Sequence, residues 1–205
     1  AKLDKLYADN LARAEILSKQ LIEKHPLKGV ELNGKFLTWL DQQRARVRHW
    51  STLSPASLKA NLPHLQLEQD DIILASGDST KHDIFELEFD VKHDLVRAIR
   101  LEALPDARLP NYGPGMTNYE GTIGDFFLTE FELYVEGKRV KLNKAVHSYA
   151  KNRYGSQDTS AQLMIDGDIQ TGWSVHEGQG QRHIAVLSPA EPIQAGRWKL
   201  VMHFG

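Results

Sequence analysis

Apolar and polar positions alternate in two different ways along this chain. In the first part, Leu3, Leu6, Tyr7, Leu11, Ala14, Leu17 and Leu21 recur at three- and four-residue spacing. That period makes one stripe on a helix, so the segment predicts an amphipathic helix. Pro26 is expected to stop it, with Gly29 and Gly34 marking a connection. A second helix is expected from about Lys35 to His49, with Phe36, Trp39, Leu40, Val47 and Trp50 on one face. Arg44, Arg46 and Arg48 decorate the rest, as on a solvated helix face.

From Trp50 onward the runs become short, rich in β-formers and separated by turn residues. The predicted strands are Leu65–Leu67, Ile72–Ala75, Ile84–Phe89, Ala98–Ala103, Phe126–Val135, Lys138–Leu142, His183–Leu187 and Trp198–Phe204. Phe85-Glu86-Leu87-Glu88-Phe89 alternates as a half-buried strand must. Glu136-Gly137-Lys138 signals a tight hairpin. Many short strands without helices between them predict a mainly β fold, an antiparallel β-sandwich of jelly-roll or galactose-binding-like type, with an N-terminal helical hairpin. The expected organisation is a helical hairpin over residues 1–49 packed on a sandwich domain over residues 50–205.

Composition narrows the function classes. Of 205 residues, 41% are hydrophobic and 25% charged, which suits an ordinary globular chain. The formal net charge of −2 offers no broad basic field, so nucleic acid is not an expected partner. There is no cysteine, hence no disulfide, thiolate zinc site, Cys nucleophile or Cys-x-x-Cys-His haem attachment in this sequence. No apolar run approaches the roughly 20 residues of a membrane helix, so membrane insertion is not expected. The first residues carry no signal-peptide pattern and begin in a helical one, while the last end in a strand-like run. The chain therefore reads as a domain excised from a longer protein.

Candidate chemistry concentrates in three loops. Ile165-Asp166-Gly167-Asp168-Ile169-Gln170-Thr171-Gly172-Trp173 can turn the backbone tightly and hold a hard cation. Calcium takes six to eight oxygens, and Asp166, Asp168 and Thr171 can supply carboxylate, carbonyl and hydroxyl oxygens. The other reading is an Asx-type corner in which Asp166 caps its own turn and Trp173 packs in the core. The long Pro105–Gly124 connection carries Asn111, Tyr112, Asn118 and Tyr119, planar hydrogen-bonding groups beside rings that can stack on a sugar. The loop Ser174–His183 adds His176, Gln181 and Arg182, the last a natural partner for a carboxylate or sulfate. Both loops also read as ordinary solvated turns. The nine histidines show no ligand spacing, there is no Gly-x-Ser-x-Gly elbow, and no glycine loop has the phosphate-binding pattern, so an enzyme is not expected.

Several ordered motifs carry a family resemblance. They are Ile99-Arg100-Leu101-Glu102-Ala103-Leu104-Pro105, Leu109-Pro110, Gly113-Pro114-Gly115, Gly124-Asp125-Phe126-Phe127-Leu128-Thr129-Glu130-Phe131-Glu132 and Ile165–Trp173. Over about residues 50–205 this succession resembles a segment of large planctomycete-type surface proteins, in which a cytochrome c domain precedes domains of unknown function. Asp125 stands where Asn is usual there, and Met116 where Arg often follows Gly-Pro-Gly. The Asp-Gly-Asp-x-x-Thr-Gly-Trp piece is also similar to discoidin-like carbohydrate modules of the galactose-binding fold. That similarity implies a structural calcium ion with Glu130 closing the shell, although the strand Leu128–Tyr134 precedes the loop here and follows it there. The resemblance implies a non-catalytic carbohydrate-binding or surface-recognition module of an exported, extracytoplasmic protein. Its partners would be a polysaccharide or other glycan and the remaining domains of the parent, with no haem on this chain. The alternative is a structural or interaction domain that spaces its neighbours and binds no sugar.

Overall fold

The computed structural model describes residues 2–46, 50–116, 123–152 and 158–205. They form two compact units, Ala1–Ser51 and Thr52–Gly205. The first is a helical hairpin of α1 (Lys2–Lys24) and α2 (Pro26–Arg46), separated only by His25. Pro26 ends one helix and also opens the next. At the first helical position its missing N–H is not needed and its φ is already helical. Gly29 and Gly34 accordingly lie inside α2, not in a connection. The less exposed side chains are Leu11, Ala14, Ser18 and Ile22 on α1 and Asn33, Phe36 and Leu40 on α2. Ser18 Oγ donates to Asn33 Oδ1 at 2.8 Å between the two helices. Leu17, expected on the buried stripe, is exposed, and Trp39 is 53% exposed.

The second unit is mainly β. Its strands are β1 (Ser57–Ala60), β2 (His64–Leu67), β3 (Ile73–Ser76), β4 (Asp83–Val91), β5 (Ile99–Ala103), β6 (Phe127–Val135), β7 (Lys138–Arg139), β8 (Leu142–His147), β9 (Trp173–Ser174), β10 (His183–Pro189) and β11 (Gly196–Phe204). The largest sheet runs β1-β4-β11-β6-β7, with β9 also pairing β6. A second sheet runs β5-β10-β8, and β2 pairs β3 in a small ribbon. The pairings between these strands are antiparallel. The expected strands are present within a few residues, except that only the first part of Lys138–Leu142 is a strand (β7), and β8 beyond Leu142 was not expected. The short strands β1 and β9 had no sequence signal.

Alternation builds the core. On the central strand β11, Trp198 lies opposite Phe89 and Val135, Leu200 opposite Leu87 and Leu133, and Met202 opposite Phe85 and Phe131. These rows share one hydrophobic cluster with Ala103, Ala145, Ala185 and Leu187 of the other sheet. Two antiparallel sheets contributing to one core is consistent with a β-sandwich. Each large side chain fully buried there contributes about 1.5–3 kcal/mol. The β6–β7 hairpin turns through Glu136 and Gly137, both with positive φ (48° and 76°), as a type I′ turn requires.

Trp173 anchors the Asp-Gly-Asp loop to this core. It is fully buried, its Nε1–H donates to Tyr149 O at 2.8 Å, and Phe126 meets it edge-on at 5.5 Å. Gly172 lets β9 lie this close to β6, because a Cβ there would sit 2.4 Å from Leu128 O. One irregularity shapes the neighbouring site. Opposite His203 and Phe204, β6 offers Glu130 and Leu128, so Thr129 is the extra residue of a β-bulge. Its hydroxyl donates to His203 O at 2.9 Å.

Candidate functional site

The β-bulge turns Leu128 and Phe131 to the core and leaves Glu130 on the other side of β6. Glu130 is nevertheless only 3% exposed. Its Oε2 accepts the Gly167 N–H at 3.1 Å, and its Oε1 lies 3.4 Å from Nη2 of Arg139 on β7. Arg139 pairs more closely with Glu132, at 2.9 Å, and Tyr134 O–H donates to Glu132 Oε2 at 2.8 Å. Burial holds the Glu130 carboxyl above the usual carboxylate range; the Gly167 N–H and Arg139 oppose that shift, and Asp166 and Glu132 add to it. These groups line an open hollow of about 390 Å³ with Val140, Lys141, Leu142 and Ile165.

The loop above Glu130 is closed on itself. Asp166 Oδ1 accepts the Asp168 N–H at 2.8 Å, and Oδ2 accepts the Thr171 hydroxyl at 2.9 Å. Asp168 Oδ1 accepts the Gln170 N–H at 2.9 Å, and its carbonyl accepts the Thr171 N–H at 3.1 Å. The approach of Glu130 to this loop expected from the resemblance is present, and its partner is a backbone N–H. The oxygens expected to ligate calcium thus accept bonds from the loop's own donors, the pattern of an Asx corner. As arranged, this donor set does not fit an open cation cage. Among the described residues, no group of three or more His, Cys, Asp or Glu side chains is placed to hold a metal ion.

The other two expected loops meet. The Gly180 N–H donates to Gly113 O at 3.0 Å, tying the Ser174–His183 loop to the Pro105–Gly124 connection. Asn111 and Tyr112 precede that contact, both with positive φ (49° and 66°). Tyrosine rarely takes that conformation, so the backbone is strained there. The Tyr112 side chain is 62% exposed. Arg108 braces the turn: its guanidinium makes two bonds to Glu68, at 2.6 and 2.9 Å, and also holds Asp106. The Arg108 side-chain bonds, helped by the Arg108 N–H, bring the Asp106 carboxyl down to about 2. Asn118 and Tyr119 lie outside the described residues.

On the partner loop, Gln181 is exposed and Arg182 pairs with Glu102 of β5 at 2.9 Å. His176 points partly inward. Its carbonyl accepts the Tyr149 hydroxyl at 2.8 Å, and its buried Nδ1 has no partner among the described residues. Buried His183 bonds Gly178 O through Nε2 at 2.7 Å, which pins the loop from below. Asn111, Tyr112, Gln181 and Arg182 therefore belong to two loops joined at Gly113–Gly180. Glu130, Asp166, Asp168 and Thr171 form a separate group at the corner, of which Glu130 and Asp166 line the hollow.

Sequence reasoning did not pick out Arg139, Glu132 and Tyr134 beside the hollow. The signal was available: Glu130, Glu132 and Tyr134 alternate along one strand, and the Glu136-Gly137 turn folds Arg139 back opposite Tyr134. Glu102, the partner of Arg182, had no comparable signal, because it depends on the β5–β10 pairing. No family model, curated protein or solved structure matches the chain.

Proposed function

We propose that the β unit is a non-catalytic recognition module that binds a glycan through the joined loops 105–116 and 174–183. The observation that carries this reading is Tyr112. A large ring stands exposed on a strained backbone, braced by the Arg108 ion pairs and by the Gly113–Gly180 bond. Strain held in place by its surroundings is commonest where a side chain must be presented to a ligand. A phenol ring on the same loop pair as Asn111 and Gln181 offers the stacking face and planar hydrogen-bonding groups that a pyranose takes. Arg182, half satisfied by Glu102, favours a ligand with a carboxylate or sulfate. The similarity to galactose-binding-fold modules supports the same reading, and with it an extracytoplasmic setting in a larger protein.

A glycan array probed with the whole chain and with the Tyr112→Ala and Arg182→Ala variants tests this. Binding to one glycan class, lost in Tyr112→Ala and weakened in Arg182→Ala, is the expected result. A folded wild-type chain that binds nothing on the array would sink the reading.

A second reading has its own observation. The helical hairpin exposes Ile16, Leu17, Val30, Leu32, Leu37 and Trp39. Exposed apolar side chains in this number favour an interaction role for the helices, toward other domains or another protein. In that case deleting the hairpin abolishes association with the partner and leaves glycan binding untouched.

A further inference from the structure

We infer that the hollow beside Glu130 is a second binding site, one that takes the primary ammonium group of an amino sugar. Glu130 is a buried carboxylate whose ion pair with Arg139 is long. A carboxylate has about four lone-pair positions, and each buried oxygen normally has at least one partner, which leaves room for more. Glu130 has one good bond, from the Gly167 N–H at 3.1 Å, and one long contact, 3.4 Å to Arg139. The other acids on the hollow are better served. Asp166 is held by Asp168 and Thr171, and Glu132 by Tyr134 and Arg139. Glu130 is therefore the acceptor in this wall with capacity to spare, and it faces an opening, not packed core.

The volume and lining select the ligand class. About 390 Å³ lies within the size range of small-molecule sites. A divalent metal ion wants several oxygens at once, which one under-used carboxylate does not supply. An ammonium needs only hydrogen-bond acceptors, and the spare lone pairs of Glu130 supply the charged one. Arg139 is the present occupant of that position, but it is 55% exposed, and its bond to Glu132 is shorter than its contact with Glu130. A ligand ammonium can take over Oε1 of Glu130 while Arg139 keeps Glu132. Val140, Leu142 and Ile165 supply an apolar wall for the C–H face of a ring, and Lys141 a donor for its hydroxyls. The β-bulge at Thr129 is the device that aims Glu130 this way.

This site is separate from the loops around Tyr112, so the two readings fail independently. The test is an amide NMR and calorimetric titration of the full chain, below the amine pKa, with D-glucosamine, N-acetyl-D-glucosamine and D-glucose. D-glucosamine is expected to shift the Gly167 and Glu130 amides and to bind at least about tenfold tighter than the two uncharged sugars. Glu130→Gln keeps an acceptor for the Gly167 N–H and is expected to lose that preference. Arg139→Ala removes the competing guanidinium and is expected to tighten binding, which decides the matter even if Glu130→Gln fails to fold. Equal binding of D-glucosamine and N-acetyl-D-glucosamine would overturn the proposal. So would no binding at tens of millimolar, weaker or unchanged binding in Arg139→Ala, or displacement of the amine by calcium ions.

Discussion

Glu130 on β6 accepts the N–H of Gly167 at 3.1 Å, a contact that joins the strand after the bulge to the middle of the Asp-Gly-Asp corner. It spans a long stretch of chain and is the side-chain bond that ties the corner to the sheet at Gly167. Replacing Glu130 by Ala removes the acceptor, but Gly167 is at the surface and water can serve its N–H. The expected loss of stability is therefore modest, about 1 kcal/mol. The sharper readout is local: the Gly167 amide should exchange with solvent about tenfold faster in Glu130→Ala and near the wild-type rate in Glu130→Gln. Unchanged exchange in Glu130→Ala would show that the bond does not hold the corner.

The corner itself is satisfied by its own hydrogen bonds, so its stability is not expected to depend on a metal ion. Thermal unfolding with calcium and with a chelator should give the same Tm. Asp166→Ala, which removes the acceptor of the Asp168 N–H and leaves the Thr171 hydroxyl to the Asp168 carbonyl, should cost about 1 kcal/mol under either condition. A Tm that falls by several degrees in chelator would mean that the same oxygens rearrange to ligate calcium.

Gly172 tests the packing that carries the corner. A methyl group there would sit 2.4 Å from Leu128 O and 2.7 Å from Thr129 Cα, both backbone atoms that cannot swing away. Gly172→Ala must push β9 off β6 and disturb Trp173 behind it. A loss of about 2–3 kcal/mol in urea unfolding is expected. A loss under about 0.5 kcal/mol would show that β9 moves freely.

How much of this was legible beforehand depends on the range of the interactions. Phe85-Glu86-Leu87-Glu88-Phe89 alternates and is a strand, and Glu136-Gly137 is a hairpin turn, because both features are decided by neighbours in sequence. The burial of Trp173 was readable as one of two alternatives, since a large ring beside a glycine turn needs a core. Pro26 does stop the first helix, but the connection expected through Gly29 and Gly34 is helix instead, because a proline that ends one helix also suits the first turn of the next. β1 and β9 were invisible, because Ser57–Ala60 and Trp173–Ser174 are too short to show a period and are strands only through pairing with β4 and β6. The meeting of Gly113 with Gly180 and the capture of Arg182 by Glu102 depend on strand order, which no local pattern encodes. The candidate side chains could be named from the sequence, but their grouping into a loop pair and a corner beside a hollow came from topology.

Arg108 sets a pH window. Its bonds depress the Asp106 carboxyl from 3.8 to about 2 in the folded chain. A folded-state value below the unfolded one means that the contribution to stability is present above about pH 4 and is lost as the pH falls through 2. The lowered value of Glu68, which binds the same guanidinium, acts in the same direction. In Arg108→Ala, carboxyl NMR should show Asp106 titrating well above its wild-type value, still held below its ordinary value by the N–H of residue 108. The acid-side loss of order in the Pro110–Gly113 turn should then move to higher pH. An Asp106 titration unchanged by the substitution would leave the backbone N–H, not the guanidinium, as the cause.

Tyr112 separates a structural turn from a presenting one. At φ 66° with most of its ring in solvent, the side chain buries little and strains the backbone. A strained position of this kind costs about 1–3 kcal/mol. Glycine removes the strain and returns part of that gain, about 0.4–1 kcal/mol, as extra entropy of the unfolded chain. Tyr112→Gly is therefore expected to leave stability unchanged or raise it by up to about 1 kcal/mol, while abolishing glycan binding. If Tyr112 were an ordinary packed turn residue, the same variant would lose stability instead. Urea unfolding and the glycan array, run on one preparation, give the two signs together. Lost binding with stability kept marks Tyr112 as a recognition residue, and lost stability returns it to the scaffold.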